Sequence, residues 1–245
     1  MSIKALILKR LPEPIQQFVR KAYYLQLLKS FQKTPELDFL GHLLKKGDAA
    51  VDVGANIGVY TKCLSEAVGS LGHVFSIEPI PSTFDLLSFN IQKLDLSNVT
   101  LFKCAISDFD GEVKMSIPVY STGGDNFYEA GILNKSFDNK KIVKVKSLSL
   151  DSLLKDFNLK VSFIKIDVEG HELKVINGAL VTIKNSMPAM LIEITNDPED
   201  KDSDAAELFN LLRELGYHIF LLDGAQLKKY YPGAKSTNYF FLPNI

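Results

Sequence analysis

The sequence predicts an α/β fold built on a mostly parallel sheet with helices on both faces, and two observations predict it. From residue 49 onward, short apolar runs alternate with helix-patterned segments. Residues 49–61 (Ala-Ala-Val-Asp-Val-Gly-Ala-Asn-Ile-Gly-Val-Tyr-Thr) also read as a buried strand entering a Gly-punctuated turn and then a helix. The arrangement expected is a Rossmann-like three-layer sandwich, and 245 residues suffice for one large domain, alone or with a small appendage.

Taken in order, residues 14–45 space Ile15, Phe18, Val19, Ala22, Leu25, Leu28 and Phe31 as on a helix, break at Pro35 and resume as a short helix to Leu44. Residues 1–46 are therefore read as an N-terminal helical cap and 47–245 as the main domain. Strands are expected at 49–54, 73–78 and 99–105, with helices at 58–68 and 82–94. The alternation resumes with strand 162–167, helix 171–184, strand 189–195, helix 203–215 and strand 218–223, and a strand at 238–242 closes the sheet. Between the halves, Glu112–Val119 and Lys141–Leu148 alternate as strands do around a polar stretch, Tyr120–Lys140. An inserted loop over 119–141 is expected to be a lid, a binding loop or a mobile segment. Its Ser121-Thr122-Gly123-Gly124-Asp125-Asn126-Phe127-Tyr128 run offers glycines, hydrogen-bonding side chains and two aromatics that suit a polar acceptor.

Composition sets the class. With 46% hydrophobic and 23% charged residues the chain reads as a soluble globular protein, and no apolar run approaches a membrane span. Met1–Leu8 is interrupted by Lys4 and followed by Lys9-Arg10 without a small-residue cleavage site, so it does not read as a signal peptide. Cys63 and Cys104 lie in apolar company and are expected to be buried, reduced thiols, which fits a cytoplasmic setting. Net charge is −1, yet residues 1–46 hold nine Lys or Arg against three acids while the remainder carries an excess of seven acids. Such a basic arm can lie on an anionic membrane surface, pack on a partner or form a solvated face. The acidic body offers no basic stripe, so no nucleic-acid substrate is assigned.

The first strand and turn pair with a second apolar run, His73–Ile77, that ends in Glu78-Pro79, 24 residues after Gly54. An acid at the end of the second strand is placed to accept hydrogen bonds from ribose hydroxyls. The glycine pattern Asp52-x-Gly54-x-Asn56-x-Gly58 departs from the dinucleotide Gly-x-Gly-x-x-Gly, which disfavours NAD. Asn56 can hold a positive-φ position. Asp52, expected at the crevice mouth, would repel a pyrophosphate and attract an ammonium. Ribose and ammonium without phosphate describe S-adenosylmethionine. The alternative is that Asp52 caps the turn backbone and the glycines only make a tight turn.

A second constellation follows the strand Phe163-Ile164-Lys165-Ile166-Asp167, which ends in Asp167-Val168-Glu169-Gly170-His171-Glu172 at a helix start. Alternation puts Lys165 and Asp167 on one face, and Gly170 permits a turn that brings Glu169 and His171 to the same opening. Asp167 by position and His171 by its intrinsic pKa are the candidate general bases for a hydroxyl that must lose its proton. The plainer reading is that Glu169 and Glu172 complement the helix N-terminus and His171 is a surface residue. Asp167 and Glu193, on adjacent strands, form a carboxylate pair of the kind a divalent cation uses, but no spacing is diagnostic of a site and no metal is assigned.

These residues resemble the FkbM-type S-adenosylmethionine-dependent methyltransferases of the class I fold. The resemblance rests on Val51-Asp-Val-Gly-Ala-Asn-Ile-Gly58 with Tyr60-Thr61, Glu78-Pro79, Asn90, Ala105-Ile-Ser-Asp108 with Gly111, Leu150-Asp151, Lys165-Ile-Asp-Val-Glu-Gly-His-Glu172, Gly178-Ala179 and Glu193. It covers roughly residues 47–243. It implies a seven-stranded sheet with a reversed last strand. Cofactor contacts are implied at Asp52, Gly54, Asn56, Gly58, Thr61 and Glu78, with adenine near Ala105. It further implies methyl transfer to a hydroxyl oxygen of a sugar or polyketide-type natural product. The leading reading takes Asp167 or His171 as base and Glu169 as the orienting group. An NAD-dependent oxidoreductase and a non-catalytic cofactor-binding module docking on a partner or membrane are the competing readings.

Overall fold

The computed structural model describes residues 12–118, 131–132, 140–234 and 236–244. Two helices, α1 (Glu13–Ser30) and α2 (Pro35–Leu43), precede the alternation β1 (Ala49–Val53), α3 (Val59–Val68), β2 (His73–Ile77), α4 (Pro81–Lys93) and β3 (Val99–Phe102). An excursion follows, formed by β4 (Ala105–Ile106), β5 (Gly111–Pro118), β6 (Gly131–Ile132) and β7 (Lys140–Leu148). The alternation then resumes with α5 (Leu150–Leu154), β8 (Val161–Ile166), α6 (Glu172–Asn177), α7 (Leu180–Ser186), β9 (Ala189–Glu193) and α8 (Asp204–Glu214). It closes with β10 (Tyr217–Asp223), β11 (Gln226–Lys229) and β12 (Asn238–Pro243).

The main sheet has the order β11-β10-β12-β9-β8-β1-β2-β3. The seven expected strands are all present, β12 runs antiparallel to both β9 and β10, and β11 adds a short hairpin strand at the edge. Alternation along the central strands divides the core in two. Val51, Val53, Phe75, Ile77, Ile164, Ile166, Met190 and Ile192 face one layer, with Leu173, Ile176, Ile183 and Leu208 from α6, α7 and α8. Ala50, Val74, Phe163, Leu191 and Phe240 face the other, with Cys63, Leu64 and Val68 of α3 and Leu37, Leu40 and Leu44 from α2 and its C-terminal flank. A strand apolar on both parities is stable only when both faces are covered, which is why β1 is buried at all five residues.

Two expectations need correction, and one helix uses its apolar residues unevenly. The helix expected over 171–184 is two, because Asp151 accepts the Val181 and Thr182 amides and the Thr182 hydroxyl at 2.7–2.9 Å and so caps α7 as a separate helix. Strand 99–105 leaves the main sheet after Phe102, and Ala105–Ile106 pairs with Ser147–Leu148 in a second sheet of order β4-β7-β5-β6. The apolar stripe of α1 is only partly used: Leu28 is buried, whereas Ile15, Phe18, Val19 and Tyr23 are exposed. The Ser121–Tyr128 segment of the inserted loop lies outside the described residues.

Candidate active site

A cleft of about 280 Å³ opens at the carboxyl edge of the sheet, where β1, β2, β8 and β9 end. Its floor is the turn after β1. Gly54 has φ +81°, and a Cβ there would lie 1.9 Å from the Asp167 carbonyl oxygen, so only glycine lets the ends of β1 and β8 approach this closely. The Gly54 and Ala55 amides both donate to the Ile77 carbonyl, at 3.0 and 2.9 Å. Asn56, at φ 50°, completes the left-handed step, and the buried Asn90 amide donates to the Ile57 carbonyl at 2.9 Å.

On one side of the floor stands Glu78. Its two oxygens accept the Asn56 amide at 3.0 Å and the Ile80 amide at 2.8 Å, so one carboxylate ties the turn after β1 to the turn after β2. Burial pushes its pKa up to about 7, against those two bonds. Each oxygen keeps a further lone pair for a ligand hydroxyl. Beside it Ile80, Cys104, Ala105, Ile106 and Met115 make an apolar wall, with Met115 contributed by β5 of the second sheet.

On the other side the polar groups cluster. Lys165 is 1% exposed; its ammonium lies 3.6 Å from an Asp167 oxygen, donates to the Ile166 carbonyl at 3.2 Å and sits 4.9 Å from the centre of the Tyr60 ring. Asp167 and Glu193 both line the cleft above it. Burial, and then the neighbouring Asp167 carboxylate, hold Glu193 above the usual carboxylate range. Glu169 and Gly170, at φ 54° and 87°, form the turn that places Glu169 and His171 on the cleft wall. The Gly170 amide is held by Glu172, 2.9 Å away. His171 Nε2 lies 3.2 Å from the Ser107 hydroxyl, which donates to Asp108 at 3.1 Å, and Asp108 pairs with Lys174. Burial lowers the His171 pKa, so the ring is neutral at neutral pH.

A cleft with one carboxylate beside an apolar wall and a second acidic wall facing it can take a nucleoside on one side and a reacting hydroxyl on the other. The Methyltransferase FkbM domain family matches residues 52–219. The chain belongs to this family. Its cofactor is S-adenosylmethionine. It is 28% identical over 172 residues to the hexuronic acid methyltransferase AglP of Haloferax volcanii, a match covering 68% of this chain and 65%, just under two thirds, of that relative's length. Methyltransferase 1 of Beauveria bassiana is 28% identical over 184 residues, covering 69% of this chain and 72% of its own. Among solved structures, the FkbM methyltransferase of Methylobacillus flagellatus KT superposes with a TM-score of 0.52 at 16% identity, covering 91% of this chain and 59% of that one.

Within this FkbM-family domain the structure gathers Gly54, Asn56, Glu78, Ala105, Asp167, Glu169 and His171 around the cleft. Asp52, Gly58 and Thr61 do not line it. Asp52 is 1% exposed beneath the turn, not at the mouth, and accepts the Thr61 hydroxyl at 2.5 Å, which in turn lies 2.8 Å from Ser76. Burial raises its pKa to about 6, against the Thr61 bond and the Lys165 charge. The trio anchors the start of α3 to β1 and β2. Gly58, at φ 100°, begins α3 instead. Among the described residues no group of three or more His, Cys, Asp or Glu side chains is placed to hold a metal ion. Sequence reasoning did not single out Tyr60, Ser107 or Met115 as site residues. Only for Tyr60, next to the Gly58 turn, was there a positional signal.

Proposed function

We propose that this protein transfers a methyl group from S-adenosylmethionine to a hydroxyl oxygen, with a sugar or glycan hydroxyl as the first acceptor class and a polyketide-type hydroxyl as the second. The observation that carries this reading is the Asp167–Glu193 carboxylate pair opening on the cleft over the buried Lys165 ammonium. The hexuronic acid named for the archaeal relative supports a sugar acceptor. Glu78, with lone pairs left for ribose hydroxyls, and the Ile80, Ala105, Ile106 and Met115 wall, apolar enough for adenine, fit the cofactor. The open turn at Gly54 and Asn56 leaves room for the linking chain between them.

When bound, S-adenosylmethionine supplies a methyl on a positively charged sulfur, and that bond breaks with its electron pair left on sulfur. In-line displacement then asks the protein mainly for positioning and a destination for the hydroxyl proton. Asp167 takes that proton. Glu193, held towards its protonated form, limits the negative charge at this wall, and Lys165 balances what remains. Glu169 orients the acceptor. The Ser107 hydrogen goes to Asp108, so His171 Nε2–H donates to Ser107 and the ring presents Nδ1 as an acceptor. His171 is thereby the second proton acceptor of the site.

The test is incubation with methyl-labelled S-adenosylmethionine and a panel of hydroxylated acceptors, uronic acids and their oligosaccharides first, with the product bond assigned by NMR. A methyl ether supports the reading. Transfer only to a carboxylate, giving a methyl ester, or only to nitrogen or carbon removes it.

A further inference from the structure

Helix α1 packs on the domain with only part of its apolar side chains turned inward. Its inward side presents Gln16, Arg20, Lys21, Tyr24, Leu25, Leu27 and the buried Leu28. Gln17, Arg20 and Lys21 line a groove against Ser82, Asp85 and Leu86 of α4, and the Lys21 ammonium lies 5.2 Å from the centre of the Phe89 ring. Its outward side presents Ile15, Phe18, Val19, Ala22 and Tyr23, with Phe18 72% and Tyr23 63% exposed. At about 100° per residue these five fall within an arc of roughly 140°. A surface helix ordinarily turns its apolar stripe to the core. Here half of the stripe faces away from it, and clustered apolar side chains on a surface mark a contact.

Charge identifies the occupant. Residues 1–46 carry nine Lys or Arg against three acids, while residues 47–245 carry nineteen against twenty-six. A second copy of the chain meeting this helix in two-fold fashion would bring two such basic segments together. An anionic lipid surface attracts the segment and repels the acidic body, which orients the molecule with α1 against the surface. We infer that the outward face of α1 inserts into the interface of an anionic membrane, with Phe18 and Tyr23 as its anchors. The groove beneath α1 is lined by the first turns of α4, which begins directly after the Ile80 that borders the cleft, so docking holds the active-site edge beside the membrane. Among the described residues no helix is long and apolar enough to cross a membrane.

The full chain is floated with vesicles of phosphatidylcholine alone and of phosphatidylcholine mixed with phosphatidylglycerol, at low and high salt. Phe18→Glu/Tyr23→Glu is run in parallel. Both positions lie outside the cleft, so the variant's thermal melt and S-adenosylmethionine titration should match the parent. The expected result is binding to the anionic vesicles that weakens with salt, little binding to phosphatidylcholine, and a fall in partitioning of about tenfold or more in the variant. Absence of vesicle binding by the parent overturns the inference, as does a variant that binds as well as the parent. Light scattering decides one further case: a dimer that the same two substitutions dissociate, without vesicle binding, assigns the face to a second copy.

Discussion

Replacing Glu78 by glutamine tests the geometry of the cofactor side through pH. In the folded protein burial raises the Glu78 pKa from its ordinary 4.5 to about 7. A carboxyl raised on folding contributes stability that is full below its unfolded pKa and is lost as pH climbs through the folded one. At about 1.4 kcal/mol per pH unit the whole interval is worth about 3 kcal/mol, of which about 2.5 kcal/mol is lost between pH 5 and pH 8. The amide of the Glu78→Gln variant cannot ionise, so the variant escapes that loss. It keeps one acceptor oxygen where Glu78 offers two, and so leaves either the Asn56 or the Ile80 amide unpaired at a cost of about 1–3 kcal/mol. Glu78→Gln is therefore expected to be less stable than the parent at pH 5 and to regain about 2.5 kcal/mol on it by pH 8. Asp52, raised to about 6, slopes in the same direction, but it is present in both proteins and cancels. Urea unfolding followed by circular dichroism at the two pH values gives the comparison. Parallel pH dependence in the two proteins would refute the claim that Glu78 is buried and clamped as described. Calorimetric titration supplies the functional arm: parent affinity for S-adenosylmethionine should rise as Glu78 ionises through pH 7, and that rise should vanish in the variant.

Other expectations follow from the same geometry. Gly54→Ala forces a positive φ and drives a Cβ into the Asp167 carbonyl, so a loss of about 2–5 kcal/mol is expected in urea unfolding, and an unchanged midpoint would contradict the close approach of β1 and β8. Asp167→Asn should cut turnover by about 10²–10⁴ while leaving S-adenosylmethionine affinity within a few fold, with a smaller loss for His171→Ala; undiminished turnover in both would remove them from the chemistry. Lys165→Met takes the ammonium from beneath Asp167 and Glu193, so the acidic limb of the pH–rate profile should move to higher pH, and a stationary limb would show that the ammonium does not tune the pair. The Cys63 and Cys104 thiols are both held high by burial, Cys104 at about 11, so neither should react with Ellman's reagent in the native protein at pH 8, and urea should release both.

Sequence reading reached the layers because their cause is local. Near-continuous apolar runs such as Ala49–Val53 need two covering layers wherever they fold, and a glycine or asparagine that must take positive φ announces its turn. The same logic placed Glu78 at a strand end and put Lys165 and Asp167 on one face. It failed for Asp52. Its position beside the turn is a property of the chain, whereas its burial depends on Thr61 and Ser76, 9 and 24 residues away in sequence, closing over it. It failed for Met115 as well, since nothing in an alternating strand reveals that a second sheet will lean it against Ala105.

By itself, then, the sequence determined the α/β layering, the turn after β1, and the acids at the ends of β2 and β8, because each follows from backbone sterics or side-chain periodicity over a few neighbouring residues. Only the tertiary structure decided which of those groups reach the cleft, that one carboxylate clamps two turns, that a buried ammonium sits under the acidic wall, and that α1 turns half of its apolar stripe outward. Those outcomes depend on which elements come to lie against one another, and solvation and charge are set by neighbours distant in the chain.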